Sequence, residues 1–418
     1  MNIPSSGRVL VFGDDMRIFL AVVRSLGRSG KEVHAVPLNW HAPALRSRYI
    51  TAIHHVPRYS DDPAGWLAAV RGLLQQHDFD LVVPCCDDRS ILPFHRHRAE
   101  FANLRVAIPA ADAMDLLFDK AQTRALCIKL GIPVTRAAPL GLADTARNLV
   151  ERFGLPLVIK TARSYSFDHL DITGKVYIME SEAELERLLA TTVTDRERYL
   201  VEEYFEGSGV GVSVLADRGR ILNAFQHRRL REGRGGSSSH RISEAINPDL
   251  LAACEKIAET TALTGVCMFE FRFNLETRRW ILIETNARFW GSLPLPISLG
   301  MDFPRYLYDL FVHQKVHPQI SYRMGVTSRN VTLDGLNLIA DFKRLKRGEL
   351  GAWLGAVASF LTQPVRWVTG HERSDSFVWD DLRPAFSECA QLGGIISEKR
   401  RRDRFGKPRR RQSEQAAR

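Results

Sequence analysis

The chain has 418 residues, 45% of them hydrophobic, which is enough for two or three globular domains with substantial cores. No apolar run reaches 18 residues and the first residues lack the basic and apolar regions of a signal peptide, so a cytoplasmic protein is expected. The six cysteines show neither metal-finger spacing nor disulfide-scaffold density, and the formal charge of +10 is concentrated in one place: Lys399 to Arg411 holds nine Lys or Arg against one Asp, a net +8. Such a run reads as a disordered basic tail, 398–418, able to touch RNA or anionic lipid through charge alone.

Taken in order, Arg8 to Gly13 reads as a buried strand, Arg17 to Ser29 as a helix and Glu32 to Pro37 as a second strand, the opening of a βαβ unit. A helix over about Ala64 to His77, an apolar strand Leu81 to Pro84 and a short strand Arg105 to Pro109 extend the alternation into a doubly wound parallel sheet, residues 1–111. Gly13 stands alone without a Gly-x-Gly-x-x-Gly pattern, so no dinucleotide site is assigned there. His95 and His97 lack a third ligand and read as surface residues.

Asp112 to Gly131 shows apolar residues at helical spacing and is predicted as one helix, stopped by Gly131-Ile132-Pro133. The strand Leu157 to Lys160 follows, then Thr161 to Phe167, glycine-free until Gly174, with Arg163, Ser164 and Ser166 as polar donors. A helix from Ser181 to Thr191 leads to the strand and turn Tyr199 to Gly207. Gly211 to Leu215 and Arg220 to Gln226 read as a hairpin around Asp217-Arg218-Gly219, and His227 to Arg241 as an arginine-rich Gly/Ser loop. Arginine forks bind carboxylates bidentately, so Arg228 and Arg231 are candidate contacts for an anionic substrate.

After a helix from Pro248 to Gly265 come two strands with chemistry on one face. Met268 to Phe273 sets Glu270 and Arg272 against Phe269, Phe271 and Phe273, and Trp280 to Asn286 sets Glu284 and Asn286 against Ile281 and Ile283. As neighbours, the strands would gather Glu270, Glu284 and Asn286 into an all-oxygen set suited to a hard cation such as Mg²⁺. A solvated polar face of an antiparallel sheet accounts for the same pattern. Two helices, Leu293 to Gly300 and Phe303 to His313, follow. Gly351 to Leu361 is apolar but too short to span a bilayer, and reads either as a buried helix or as one lying in a membrane surface behind Lys343, Arg344, Lys346 and Arg347.

The pair Phe269-Glu270-Phe271 and Glu284-Thr285-Asn286-Ala287-Arg288-Phe289-Trp290-Gly291-Ser292 resembles the metal-binding core of the ATP-grasp superfamily, in particular its carbamoyl-phosphate-synthetase-like carboxylate-amine ligase branch. The resemblance implies an α/β fold with an α+β ATP-grasp domain over 112–315, its small lobe at about 135–200 and its metal-binding lobe at about 201–315. A helical C-terminal extension, 316–397, and the tail complete the expected layout. By the same resemblance, Lys120 and Lys160 contact the nucleotide phosphates, Glu202 accepts from the adenine amino group, backbone groups around Glu203 and Phe205 read the ring edge, and Glu206 reaches the ribose. Glu270, Glu284 and Asn286 would hold Mg²⁺ or Mn²⁺, two ions in all, while Arg288 stabilises the transferred group. The glycine-poor segment after Lys160 departs from the family's usual phosphate loop.

The implied reaction is ligation: a carboxylate takes the γ-phosphoryl group of ATP, and an amine, less often a thiol, displaces phosphate from the acyl phosphate. The partners are then a small carboxylate and an amine, with a homodimer left open. Two alternatives stand beside it: an ATP-grasp kinase that stops at phosphoryl transfer to a hydroxyl, and a nucleotide-binding protein without turnover that works through its basic tail.

Overall fold

The computed structural model describes residues 7–162, 176–232, 238–342, 345 and 350–393. The expected phosphate-loop donors Arg163, Ser164 and Ser166, the Gly/Ser tract 233–237 and the basic tail lie outside them. The N-terminal unit runs β1 (Arg8–Phe12), α1 (Ile18–Arg28), β2 (Glu32–Val36), β3 (Ile50–Ile53), α2 (Pro63–Gln76), β4 (Leu81–Pro84) and α3 (Asp88–Arg96). Its four strands are parallel in the order β3-β2-β1-β4. Successive residues of β1 enter different cores: Val9 and Val11 join Phe19 and Val22 of α1, whereas Leu10 and Phe12 join Trp66, Val70 and Phe94. A strand covered on both faces must be apolar throughout, which is why Val-Leu-Val-Phe shows no alternation.

The strand expected at Arg105 to Pro109 is reduced to one parallel bridge, Val82 to Val106. The edge strand β3 and the helix α3 were not expected from the sequence. His95 bonds Asp115 at 2.8 Å and His97 bonds Tyr59 at 3.1 Å.

The single helix expected over Asp112 to Gly131 is two, α4 (Ala111–Leu117) and α5 (Lys120–Lys129). Asp119 causes the break, its carboxylate accepting from the backbone N–H groups of Ala121 and Gln122 as an N-cap. Helical spacing of the apolar residues persists across the break, which hid it. The consequence is positional: Lys120 stands on the first turn of α5, and its N–H bonds Ala162 O at the end of the next lobe's central strand.

That small lobe comprises β5 (Ala137–Pro139), α6 (Ala146–Phe153), β6 (Leu157–Thr161), β7 (Val176–Met179), α7 (Glu182–Thr191) and β8 (Tyr199–Glu203). Its antiparallel sheet has the order β5-β8-β6-β7, with both helices on one face around Leu149, Leu157, Ile159 and Leu185.

The large sheet follows from β9 (Ser208–Asp217), β10 (Arg220–Glu232), β11 (Ser238–Glu244), α8 (Pro248–Thr260), β12 (Gly265–Phe273), β13 (Trp280–Asn286), α9 (Pro294–Ser298) and α10 (Phe303–His313). Helix α8 lays Leu250, Cys254 and Ile257 on Val212, Val214, Phe269 and Phe271. The loop expected over His227 to Arg241 is instead the continuation of β10 and the start of β11, which pair in antiparallel register from Gln226–Glu244 to Glu232–Ser238.

The extension 316–397 is not purely helical. It comprises β14 (Thr327–Arg329), α11 (Val331–Phe342), α12 (Leu350–Leu361), α13 (Gln363–Val368) and β15 (Glu372–Ser374). Both strands join the large sheet, whose order is β13-β12-β9-β10-β11-β14-β15. The helix expected to be buried at Gly351 to Leu361 buries none of its residues.

Buried ion pairs hold this extension down. Arg329 contacts Asp334 and Glu372, Arg241 contacts Asp375, and Arg24 of α1 contacts Asp381, all with side chains at most 3% exposed. Asp381 also accepts from Ser47 Oγ at 2.7 Å and from Arg48 N at 3.0 Å, so the chain after β15 ties the N-terminal unit to the large sheet. Removing one member of such a pair strands the other charge. Asp381→Ala is expected to lower unfolding free energy by about 3–5 kcal/mol, and Arg147→Ala, in the exposed Arg147–Glu151 pair, by less than about 1 kcal/mol, as read from urea melts.

Candidate active site

Strands β12 and β13 pair so that Glu270 lies opposite Glu284 and Met268 opposite Asn286. Between the pairs Glu270–Glu284 and Phe271–Leu282, β13 carries one extra residue, Ile283. This bulge breaks the alternation expected of the strand. Ile281 and Ile283, expected on the core face, therefore border the same cleft as Glu284. Asn286 Nδ2 donates to Glu270 Oε1 at 3.1 Å, leaving its amide oxygen to other partners. Thr285 Oγ1 donates to Leu117 O at 2.8 Å and fastens the strand to the end of α4, beside Lys120.

Cations ring the carboxylates. Lys120 Nζ lies 3.8 Å from Glu284 Oε1, and Arg229 Nη2 donates to Glu270 Oε2 at 2.5 Å. Burial alone would raise the Glu284 carboxyl, but Lys120, Lys160, Arg288 and Arg229 outweigh it and hold the group below the ordinary glutamate range. Arg288 crosses to the N-terminal unit, its Nε 3.3 Å from Asp88 Oδ1. Burial raises Asp88 while Arg288 opposes the rise, and the guanidinium is itself held above its ordinary range against burial by Asp88 and Glu284.

On the small lobe, Lys160 and Glu202 project from neighbouring strands β6 and β8 and meet at 2.8 Å. Lys160 is only 5% exposed. The two line an inner pocket with Lys120, Glu284, Leu117, Val134 and Ile281, between the lobes. An outer pocket shares Val134, Thr135 and Ile281 with it and adds Glu203, Tyr204, Phe205 and Glu206 from the connection between β8 and β9. Glu203 also pairs with Arg136 at 2.6 Å. The two pockets make one cleft, polar at the inner end and open at the outer.

The six residues expected around a nucleotide line this cleft; of the three expected around a metal, Glu284 lines its inner end, with Glu270 paired opposite it and Asn286 bonded to Glu270. Arg228 and Arg231 do not join them. Arg228 Nε pairs with Glu244 at 2.5 Å across the hairpin, and Arg231 faces Asp334 and Asp341 of the extension at 3.4 and 3.7 Å. Read as a loop, the segment offered any arginine; as a strand, alternation separates Arg228 from Arg229, the register shift between Arg229 and Arg231 turns Arg231 away in its turn, and Arg229 is the one that reaches Glu270. Asp88 was not among the expected residues, although Asp87-Asp88-Arg89 comes two residues after the end of the apolar strand β4, where open parallel sheets place their ligands. The donor set of two carboxylates and one amide oxygen fits a hard divalent cation. Among the described residues a second cluster of metal-ligating type is His34, His54 and His77, in which His34 Nδ1 and His54 Nε2 are already bonded to each other at 2.8 Å.

Solved structures share this arrangement of units. The biotin carboxylase domain of Hydrogenobacter thermophilus 2-oxoglutarate carboxylase, determined with MgADP and bicarbonate, superposes with a TM-score of 0.59 at 17% identity over 78% of this chain and 74% of that one. The L-amino acid ligase of Bacillus licheniformis gives 0.55 at 17% identity over 78% and 79%. At such identities the likeness is one of fold. In sequence, the D-alanine–D-alanine ligase of Desulforudis audaxviator (strain MP104C) is 34% identical over 109 residues, 25% of this chain and 34% of that one. The chain therefore spans about a third of the curated relatives it matches. Residues 195–332 match the family described as ATP-grasp in the biosynthetic pathway with Ter operon.

Proposed function

We propose that the protein is an ATP- and Mg²⁺-dependent ligase that joins a carboxylate to an amine, or to a thiol, through an acyl phosphate, with release of ADP and phosphate. The observation that carries this reading is the placement of Glu270, Glu284 and Asn286 at the inner end of a cleft whose walls carry Lys120 and Lys160. The purine would lie where the two pockets meet, its edge read by backbone groups near Glu203 and Phe205, with Glu206 toward the ribose and Glu202, on the inner side, accepting from the amino group.

Glu270, Glu284 and Asn286 are the residues that would hold Mg²⁺ or Mn²⁺. When bound, the ions offset triphosphate charge and polarise the γ-phosphoryl group. Lys120 and Lys160 orient the phosphates from two elements of the clamp, so transfer needs little further reorganisation. Arg288 faces the developing negative charge with its guanidinium already fixed by Asp88, and Arg229, on the same side of Glu270, is the better candidate than Arg228 or Arg231 to meet the substrate carboxylate. An attacking carboxylate oxygen forms the new bond to phosphorus as ADP leaves. The amine then adds to the acyl carbon, loses a proton, and phosphate departs.

A screen of phosphate release over pools of carboxylates and amines, with Glu284→Gln as the blank, tests the proposal. Release that requires both pools is expected, and the blank should fall by about a hundredfold or more, as loss of several kcal/mol of charge stabilisation implies. ADP formation with a hydroxyl compound and no amine requirement would move the assignment to a kinase, and nucleotide binding without turnover under any pool would remove catalysis.

The arginines can be told apart kinetically. Arg288→Met is expected to lower kcat by about 10²–10³-fold with nucleotide affinity retained. Arg228→Gln should leave kcat/KM within about fivefold, since it loses only a partly exposed ion pair.

A further inference from the structure

The extension carries an apolar surface that the fold leaves uncovered. Helix α11 buries only Asp334 and Leu338, and α12 buries nothing. The two pack on each other through Trp353, whose Nε1 donates to Leu338 O at 3.0 Å and whose ring meets Phe342 at 4.9 Å. Ser359 Oγ accepts from Arg329 at 2.9 Å and pins α12 to the sheet. With the inner face so occupied, the outer face presents Leu350, Leu354, Leu361, Val365 and Val368, from 52% to 81% exposed. Their spacing of four, seven, four and three residues makes one stripe that runs through α12 into α13. Leu336 and Ile339 of α11 lie outward beside it, 45% and 55% exposed.

From Leu350 to Val365 there is no Asp, Glu, Lys or Arg. Sixteen uncharged residues on a solvent-facing helical pair exceed what a monomeric surface ordinarily shows. The flanks are basic. In sequence, Lys343, Arg344, Lys346 and Arg347 against Glu349 separate α11 from α12, Arg366, paired with Glu372 at 3.4 Å, falls between Val365 and Val368, Arg373 follows the stripe, and 399–411 adds a net +8. Beside the stripe, a pocket is walled by Ile297, Trp367, Val368 and Trp379 and lined also by Arg28 and Arg373. Trp379 is 72% exposed and stacks on Trp367 at 4.7 Å. Indoles at an apolar and cationic boundary suit the headgroup level of a bilayer.

We infer that α11, α12 and α13 form a docking surface for an anionic lipid bilayer, lying in its interface without crossing it. Twelve residues of α12 are too few to span, and no helix among the described residues is long and apolar enough to do so. A second copy of the chain is the other occupant that an apolar stripe admits. Such a copy would, however, bring the same net charge of +10, whereas an anionic surface brings the opposite charge. The inference is independent of the ligase reading, for the stripe lies outside the cleft.

The test is sedimentation of the full-length protein with phosphatidylcholine vesicles containing or lacking about one-third phosphatidylglycerol, with light scattering of the protein alone. Binding is expected to the anionic vesicles, to weaken at least tenfold in high salt, and to fall at least tenfold in Leu354→Glu/Val365→Glu. Both positions are exposed, so the variant should keep its melting temperature and its nucleotide affinity. No binding by the wild type would overturn the inference. So would equal binding by the double variant, which would assign the effect to the basic tail, or a wild-type dimer that the variant converts to monomer with vesicle binding unchanged, which would assign the stripe to a second copy.

Discussion

The structure depends on holding two carboxylates opposite each other. Glu270 and Glu284 face across β12 and β13, an arrangement that repels unless cations surround it. Four do, each from a different element: Lys120 from the first turn of α5, Lys160 from β6, Arg229 from β10 and Arg288 from the turn after β13. The lobes of the clamp meet where they do because these charges need one another. A triphosphate with its divalent ions would enter the same electrostatic arrangement, with phosphates on the lysines and ions on the carboxylates.

The C-terminal segment turns this clamp and the N-terminal unit into one body. β14 and β15 extend the large sheet, and the buried pairs of Arg329, Arg241 and Arg24 connect the extension, the sheet and α1. Buried pairs of this kind add less net stability than apolar packing would, but they penalise any other docking of the three parts, because misplacement leaves charges without partners. Arg241 shows the coupling closely: it contacts Asp375 of the extension and donates to Gly291 O, just past the strand that carries Glu284 and Asn286. The geometry of the inner cleft is thereby linked to segments far from it in sequence.

Several features were legible without coordinates. The Val-Leu-Val-Phe strand, the opening βαβ, the hairpin around Asp217-Arg218-Gly219 and the run from Glu284 to Ser292 have local patterns strong enough to read directly, and the last of these, with Glu270, carried the ATP-grasp resemblance that the family match over residues 195–332 supports. Other readings failed for definable reasons. Helical spacing continued through Asp119, so a cap was overlooked. Gly and Ser after the arginines suggest a loop where β10 continues, and the register shift between Arg229 and Arg231, which sends only Arg229 to the carboxylates, has no local signature. The apolar composition of α12 is compatible with a buried helix or with one lying in a membrane surface, and only the structure shows that none of its residues is buried.

The sequence by itself determined what is local: which segments can be strand or helix, and which short motifs bring oxygen donors and lysines into one chain. Hydrogen-bond periodicity and side-chain type act over a few residues, so a linear reading reaches them. Only the tertiary structure decided which charges meet, that Asp88 answers Arg288 across the unit boundary, that a bulge at Ile283 turns the strand's apolar residues into cleft wall, and that the extension joins the sheet. Those outcomes depend on pairing register and on the desolvation of charges brought together from distant positions, quantities that exist only once the chain has folded.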